Sequence, residues 1–504
     1  MNPDESSFDF LSFDDDFRFL ENNLKFNYRP SHKDEISIAW VFAENNFNSL
    51  IKDDVRRQAQ IDELFMSNKG LSLSWKHDWT ERFSTQILGI GTDYGYNYDF
   101  EIRTENQNQS DADGTKTSNI KDGQIHLIGS YSTKRNHTLK VGYQLNHFDV
   151  EYEIERDGRN RRNRGVGERD DANLQVLYAS FSTPDKKPMG AELGMRVNYF
   201  PNIDNDVNRF FEPRLRLWYN LNDDWRLYGN SGQYYQFLSQ LVILRGDDSS
   251  IETPVWALTG GNIDLAGDDS ELPVLKAWQH QLGGVYKKQG WLLDVQTYLK
   301  NVNGLTSVAI GFGEANEDGF LVGSAKIRGV DVLLKKRWKP FTSWVSYSLS
   351  RSDHTFNGFF DKEFPAPNDI RSVFHWVTQW DKGPWECSLG WRFTSGVPYS
   401  SIDNFEIDID PGELDLVPTM NASFNNERLS SQHQLDASVV YNITSANEKW
   451  KTVLGVSFYN IYNRTNLYNR SLYIDDRPME DPVLIYTDKA DVRFMPNVVV
   501  RMEW

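Results

Sequence analysis

Cysteine is almost absent: among 504 residues only Cys387 carries a thiol, so no intramolecular disulfide framework and no multi-cysteine metal site can form. Long apolar runs are missing as well. No stretch of about 18 uncharged apolar residues occurs, which excludes helical membrane spans. Basic surplus is lacking, with 54 Lys and Arg against 72 Asp and Glu and a net charge of -18. Phosphate contacts need the opposite balance, so nucleic acid is excluded as a partner. An export leader is not in view either. The chain opens Met1-Asn2-Pro3-Asp4-Glu5 and stays acidic through Asp14, Asp15 and Asp16, where a leader would be basic and then apolar. The sequence therefore reads as a mature fragment or as part of a longer gene.

What is abundant is aromatic: 16 Trp, 23 Tyr and 30 Phe make up 14% of the chain, at a mean hydropathy of -0.61. Many aromatic side chains in a polar sequence suit a membrane barrel, where only alternate residues face lipid and rings mark both interfaces. Period-two alternation is explicit in three runs. In 291–300, Trp291, Leu293, Val295 and Leu299 oppose Asp294, Gln296 and Lys300. In 385–394, Trp385, Cys387, Leu389, Trp391 and Phe393 oppose Glu386, Ser388, Arg392 and Thr394, which makes Cys387 a lipid-facing or buried thiol rather than a reactive one. The last run sets Phe494, Val498, Val500, Met502 and Trp504 against Arg493, Asn497, Arg501 and Glu503.

A soluble sandwich also alternates, so the connections decide. Strands are expected near 21–29, 35–44, 69–78, 82–102, 121–132, 137–154, 172–183, 189–200, 213–221, 225–236, 276–287, 291–302, 322–337, 341–353, 368–380, 384–396, 432–444, 450–461 and 491–504. Tight turns such as Pro184 to Pro188, Asn222 to Asp224, Lys288 to Gly290 and Asp381 to Gly383 alternate with long polar segments at 45–68, 103–120, 155–171, 201–212, 237–275, 303–321, 354–367, 397–431 and 462–490. Short periplasmic turns and long extracellular loops are the mark of an outer-membrane barrel. The fold expected is all-β, an antiparallel transmembrane β-barrel of the bacterial outer membrane over 21–504. Residues 1–20 are expected to be an outer loop or the remnant of an earlier strand. The tally is about 19 strands where bacterial single-chain barrels have an even number.

Several segments from residue 200 onward carry a family likeness. They are Glu212-Pro213-Arg214-Leu215-Arg216-Leu217, Leu227-Tyr228-Gly229-Asn230-Ser231-Gly232-Gln233-Tyr234, Gly261-Asn262-Ile263-Asp264-Leu265, Gln279-His280-Gln281-Leu282-Gly283 and Tyr298-Leu299-Lys300-Asn301. Ile327-Arg328-Gly329-Val330-Asp331, Thr394-Ser395-Gly396-Val397-Pro398-Tyr399 and Asn460-Ile461-Tyr462-Asn463 follow in the same order. In these segments the chain resembles the C-terminal barrel of the TonB-dependent receptor family. The resemblance implies a 22-stranded barrel filled by an N-terminal plug, importing a scarce nutrient (siderophore, vitamin, glycan or peptide) with energy delivered through TonB. It implies that the strands here are about the last 19 of 22, with the plug upstream and the first and last strands left as edges. Further partners expected are outer-membrane lipid and the outer-membrane assembly machinery, which would read the terminal stripe Phe494, Val498, Val500, Met502 and Trp504.

No constellation for catalysis stands out. The nine histidines are scattered, with no HExxH. The rival reading is a barrel with a hydrolytic, structural or adhesive role. The longest loop, 237–275, is the best candidate for binding substrate, through Asp247, Asp248, Glu252, Trp256, Asp268 and Asp269, where carboxylates beside an aromatic suit a cation, a cationic substrate or a sugar. The plainer alternative is a solvated acidic loop. A second acidic stretch with Asp408, Asp410 and Glu413 has oxygen spacing suited to Ca²⁺, without the EF-hand pattern; no other cofactor is expected. The arginine-rich segment holding Arg156, Arg159, Arg161, Arg162, Arg164 and Arg169 is expected to be a flexible outer loop, able to meet anionic groups of surface lipopolysaccharide. Arg214, Arg216, Asp294, Lys300 and Arg392 are expected to face the lumen.

Overall fold

The computed structural model describes residues 11–53, 58–104, 112–158, 161–201, 208–243, 255–260, 262–265, 268–309, 319–356, 360–410, 413–418, 423–444, 450–475 and 483–503, with some side chains at the ends of these stretches left aside. Ten strands come first: β1 (Leu11–Tyr28), β2 (Asp34–Asp53), β3 (Gln58–Thr80), β4 (Phe83–Thr104), β5 (Ala112–Ser132), β6 (Thr138–Gly158), β7 (Arg161–Ser182), β8 (Met189–Tyr199), β9 (Arg209–Asn220) and β10 (Trp225–Gln236). The next connection carries β11 (Leu238–Ile243), β12 (Val255–Leu258), β13 (Asn262–Leu265) and β14 (Asp268–Glu271). The wall resumes with β15 (Leu275–Lys288), β16 (Trp291–Ala309), β17 (Gly319–Trp338) and β18 (Phe341–Phe356), passes the short β19 (Phe360–Pro365), and continues through β20 (Ser372–Lys382) and β21 (Trp385–Thr394). A second connection holds β22 (Pro398–Tyr399), β23 (Phe405–Asp410), β24 (Glu413–Pro418) and β25 (Glu427–Arg428) before β26 (Gln432–Thr444) and β27 (Lys451–Tyr459). The last holds β28 (Leu467–Asp475) and β29 (Val483–Ala490) ahead of β30 (Met495–Glu503).

Leaving out β11, β12 and β19, the 22-stranded sheet is a wall of nineteen strands, each antiparallel to the next from β1 to β30. This is the strand tally expected from the sequence. Among the described residues β1 pairs only with β2 and β30 only with β27, so these two are the edges.

The polarity of the wall is the reverse of a soluble protein's. On β16 the exposed face carries Trp291, Val295 and Leu299, whereas Asp294, Gln296 and Lys300 are half-buried on the other. Large exposed apolar side chains repeat from Phe17 to Met502 on every strand of the wall except β20, a patch far beyond what a water-soluble monomer carries. From Trp291 to Leu299 the apolar stripe runs roughly 26 Å at about 3.3 Å per residue, or about 20 Å along the membrane normal at a tilt of about 40°. Seven of the 16 tryptophans, Trp75, Trp79, Trp225, Trp291, Trp338, Trp385 and Trp450, lie exposed beside the short turns and form an aromatic girdle at that rim. Lys336 lies 4.5 Å above the Trp291 ring, its stem along the apolar belt and its ammonium at the interface. Cys387 is a free, half-buried thiol on the apolar face of β21.

The strands are taller than sequence periodicity indicates. Residues 11–20, expected as loop or remnant, belong to β1, where Leu11 lies opposite Asp53 and Tyr28 opposite Ile36. Much of 45–68, 103–120 and 155–171 is likewise strand rather than loop. Above the membrane the outer face of a hairpin meets water instead of lipid, so the lipid-facing pattern stops while the backbone ladder continues. The arginine-rich segment is accordingly part of the β6–β7 hairpin, and Arg169 grips Asp149 through Nε at 3.1 Å and Nη2 at 2.9 Å.

Candidate functional site on the inner wall

The inner face of the wall differs between its two halves. Along β4, Tyr94, Tyr96, Tyr98 and Phe100 alternate inward and pack with Leu64 and Met66. Tyr98 is fully buried; its hydroxyl donates to Asp62 Oδ1 at 2.5 Å, and the Lys116 ammonium lies 5.7 Å from its ring. Further round, Val150, Ala172, Leu174, Val176, Phe200 and Phe210 form a buried cluster that takes in Phe237 and Leu258 from the connection after β10. The described part of this connection does not stand out in solvent. It turns inward, the β11–β12 hairpin lays β12 against β5, β6 and β7, and Trp256 packs on the cluster. Phe237 sits 4.9 Å from the Phe200 ring and 5.2 Å from Phe210.

The wall forks where this hairpin leaves it. The β9–β10 ladder stops at Arg214 opposite Gly232, directly below Pro213, which has no N–H to give. Glu212 takes over the role of the missing ladder. Its buried carboxylate accepts from Tyr235 N at 3.1 Å, Asn198 Nδ2 at 3.0 Å and Arg214 Nη2 at 2.6 Å.

From β10 to β17 the inner face is a polar ladder. Asn230 Nδ2 donates to Gln281 Oε1 at 2.9 Å, Gln281 Nε2 donates to Gln296 Oε1, and Gln296 Nε2 donates to Asp331 Oδ2 at 3.0 Å. Tyr228 adds bonds to Asp294 Oδ1 at 3.2 Å and Gln296 Oε1 at 3.1 Å. Four inward aromatics, Tyr178, Trp218, Tyr228 and Tyr298, each lie over the glycine directly opposite: Gly142, Gly190, Gly283 and Gly329. A Cβ on Gly283 would meet the Tyr228 ring at 2.5 Å. Between the halves is a recess of about 560 Å³ lined by His126, Tyr178, Arg196, Arg214, Arg216 and Gln281 among others.

An exposed apolar belt, a polar interior and alternating short and long connections describe a membrane barrel, and the family match agrees. The model for "TonB dependent receptor-like, beta-barrel" covers residues 2–463. The chain belongs to the TonB-dependent receptor family. No curated protein matches it in sequence. Its fold is similar to the ferric yersiniabactin uptake receptor FyuA from Yersinia pestis, at TM-score 0.59 and 12% identity over 97% of this chain and 79% of that one. It is similar also to BauA, the ferric preacinetobactin receptor from Acinetobacter baumannii (TM-score 0.56, 9% identity, 98% and 79% covered). The RagAB peptide importer gives TM-score 0.56 at 9% identity, over 88% of this chain and 68% of that one. The protein is thus an outer-membrane receptor and transporter that works with TonB, and the hydrolase alternative falls away.

Arg214, Arg216, Asp294, Lys300 and Arg392 alternate with the apolar belt and share the other face of the wall. Arg392 donates to Tyr459 Oη at 2.8 Å and to Asp491 Oδ2 at 3.0 Å. Asp247, Asp248 and Glu252 lie outside the described residues, and Asp268 and Asp269 are placed only by backbone, on β14. Trp256 sits on the inner wall instead of in a solvated loop. The β23–β24 register sets Asp410 opposite Glu413 and Asp408 opposite Asp415, with these side chains outside the described ones; among the described residues no group of three His, Cys, Asp or Glu is placed to hold a metal. The terminal stripe Phe494, Val498, Val500 and Met502 is exposed, and Trp504 lies outside the described residues.

Sequence reading missed an arginine clasp between two outer connections. Arg470 on β28 holds Asp488 through Nε at 2.5 Å and Nη2 at 2.7 Å, and its guanidinium lies 4.9 Å from the rings of both Tyr399 and Tyr486. Hydrogen bonding to Asp488 raises the Arg470 pKa further, so the clasp stays charged at any working pH. Tyr399 was in view as part of a family segment; its partners lie too far along the chain for spacing to reveal.

Proposed function

We propose that this receptor imports a bulky, ring-bearing or amphipathic nutrient rather than a bare ion, admitting it over the aromatic half of the inner wall. The observation that carries this is the inward-folded β11–β12 hairpin, with Trp256 and Tyr235 half-buried against the apolar cluster that includes Phe237. Aromatic faces stack on ligand rings and bury apolar area, while neighbouring tyrosine hydroxyls and amides supply the few directional bonds that fix orientation. Ferric-chelate and peptide receptors of the same fold make both classes reasonable members of a test panel.

The test is direct binding and uptake. The full receptor would be titrated with a panel of ferric chelates, short peptides, oligosaccharides and simple divalent salts while tryptophan fluorescence is followed. Uptake of the same compounds would be measured in a host lacking its own receptor. One organic class is expected to bind and to be taken up, with Trp256→Ala lowering its affinity about tenfold, the size of one aromatic stacking contact. Tightest binding by a simple salt, or no change in Trp256→Ala, would reject the reading. Cell adhesion without uptake of any compound would favour the adhesive alternative.

A further inference from the structure

The charges on the lipid-facing side, just above the apolar belt, are paired on one part of the wall and unpaired on another. On β3 to β6 the register sets Lys69 opposite Asp93, Asp93 opposite Lys121 and Lys121 opposite Asp149. Where Asp149 meets Asp171 across the next pair, Arg169 clamps Asp149. Opposite charges directly across a sheet stabilise it, so this arc neutralises itself. On β17 and β18 the rule breaks. Arg328 lies directly opposite Arg351, and the residue opposite Arg328 on the other side is Leu299. Two cations directly opposite each other across an antiparallel pair repel.

The local acids offset this only in part. Asp353 accepts from Arg351 Nε at 2.5 Å, and Glu363, engaged by Lys326, also lies within the field of Arg351 and Arg328. Arg328 is exposed and has no hydrogen-bond or ion-pair partner among the described residues, and the terminal nitrogens of Arg351 are also unused there. Directly below lie Val330 and Leu349, exposed and apolar, so the pair sits where the hydrocarbon ends and headgroups begin.

We propose that Arg328 and Arg351, with Lys326 beside them, form a binding site for a phosphate of an outer-leaflet lipid headgroup. A phosphate bridging two guanidinium groups turns their repulsion into two charge-assisted attractions, and guanidinium forks fit tetrahedral oxyanions better than ammonium does. The acyl chains would continue down the apolar face past Leu349 and Val330. Lys326 adds positive charge at the rim, offset in part by Glu363.

The experiment measures binding of phosphorylated lipid A, and of the same lipid stripped of phosphate, to the purified full receptor in detergent by native mass spectrometry. The phosphorylated lipid is expected to bind in preference, and Arg328→Gln to lower its affinity about tenfold, as befits one lost charge-assisted contact. Lys121→Gln, on the self-neutralised arc, is expected to stay within about twofold. Because Arg328 holds no other residue, its variant keeps the fold; an unchanged melting curve checks this. Equal binding of both lipids, an unaffected Arg328→Gln, or an equal loss in Lys121→Gln would each overturn the proposal. Displacement by millimolar inorganic phosphate would assign the site to soluble anions instead and would overturn the lipid assignment.

Discussion

The two halves of the inner wall use opposite physics on the same backbone. From β4 to β9 the upper inner face is dry: Tyr98, Val176 and Phe200 show no exposed surface, and the β11–β12 hairpin packs on the cluster that holds Val176 and Phe200. From β10 to β17 it is a half-exposed ladder of Asn230, Gln281, Gln296 and Asp331, bonded side chain to side chain. Burying apolar area gives cohesion without direction, whereas the amide ladder gives direction with little net energy because water competes for each bond. The first half holds an inward-turned connection in place; the second offers a hydrated surface along which polar groups can exchange partners.

Breaking the dry half should cost most. Phe210→Ala, which empties the contact between Phe237 and Tyr235, is expected to lower stability by about 3–5 kcal/mol and to expose the 237–274 connection to protease, seen by denaturant melting and limited digestion. A smaller effect belongs to the ladder's supports. Gly283→Val would drive a side chain into the Tyr228 ring, displacing its bonds to Asp294 and Gln296 at an expected cost of about 1–3 kcal/mol in the same melting assay. Smallest is Gln296→Leu. It removes one rung, yet lumen water can satisfy Gln281, Tyr228 and Asp331, so about 1 kcal/mol is expected; a loss as large as that of Phe210→Ala would erase the distinction between the halves.

Much of this was legible beforehand where lipid imposes a pattern. Val295 and Leu299 against Asp294 and Lys300 gave the faces of β16, and the same alternation set Arg214, Arg216 and Arg392 on the face away from the apolar belt. Alternating tight turns and long segments led to the nineteen-strand wall. The pattern fades once strands rise above the membrane, which is why residues 11–20 and much of 45–68 read as loop although they pair without a break in the ladder. The inward turn of Trp256 depends on side chains from β5 to β7, distant in sequence, and left no local signal. Arg328 opposite Arg351, and Tyr228 over Gly283, exist only once register is known.

The central claim is that the apolar face meets lipid and the polar face lines an aqueous lumen. In a Cys387→Ser background, single cysteines at Val295, Gln296, Leu299 and Lys300 would carry an environment-sensitive fluorophore in lipid vesicles. Labels at 295 and 299 should be quenched by nitroxide lipid and spared by aqueous iodide, and labels at 296 and 300 should behave in reverse. Uniform quenching along the strand, or the opposite alternation, would contradict the account.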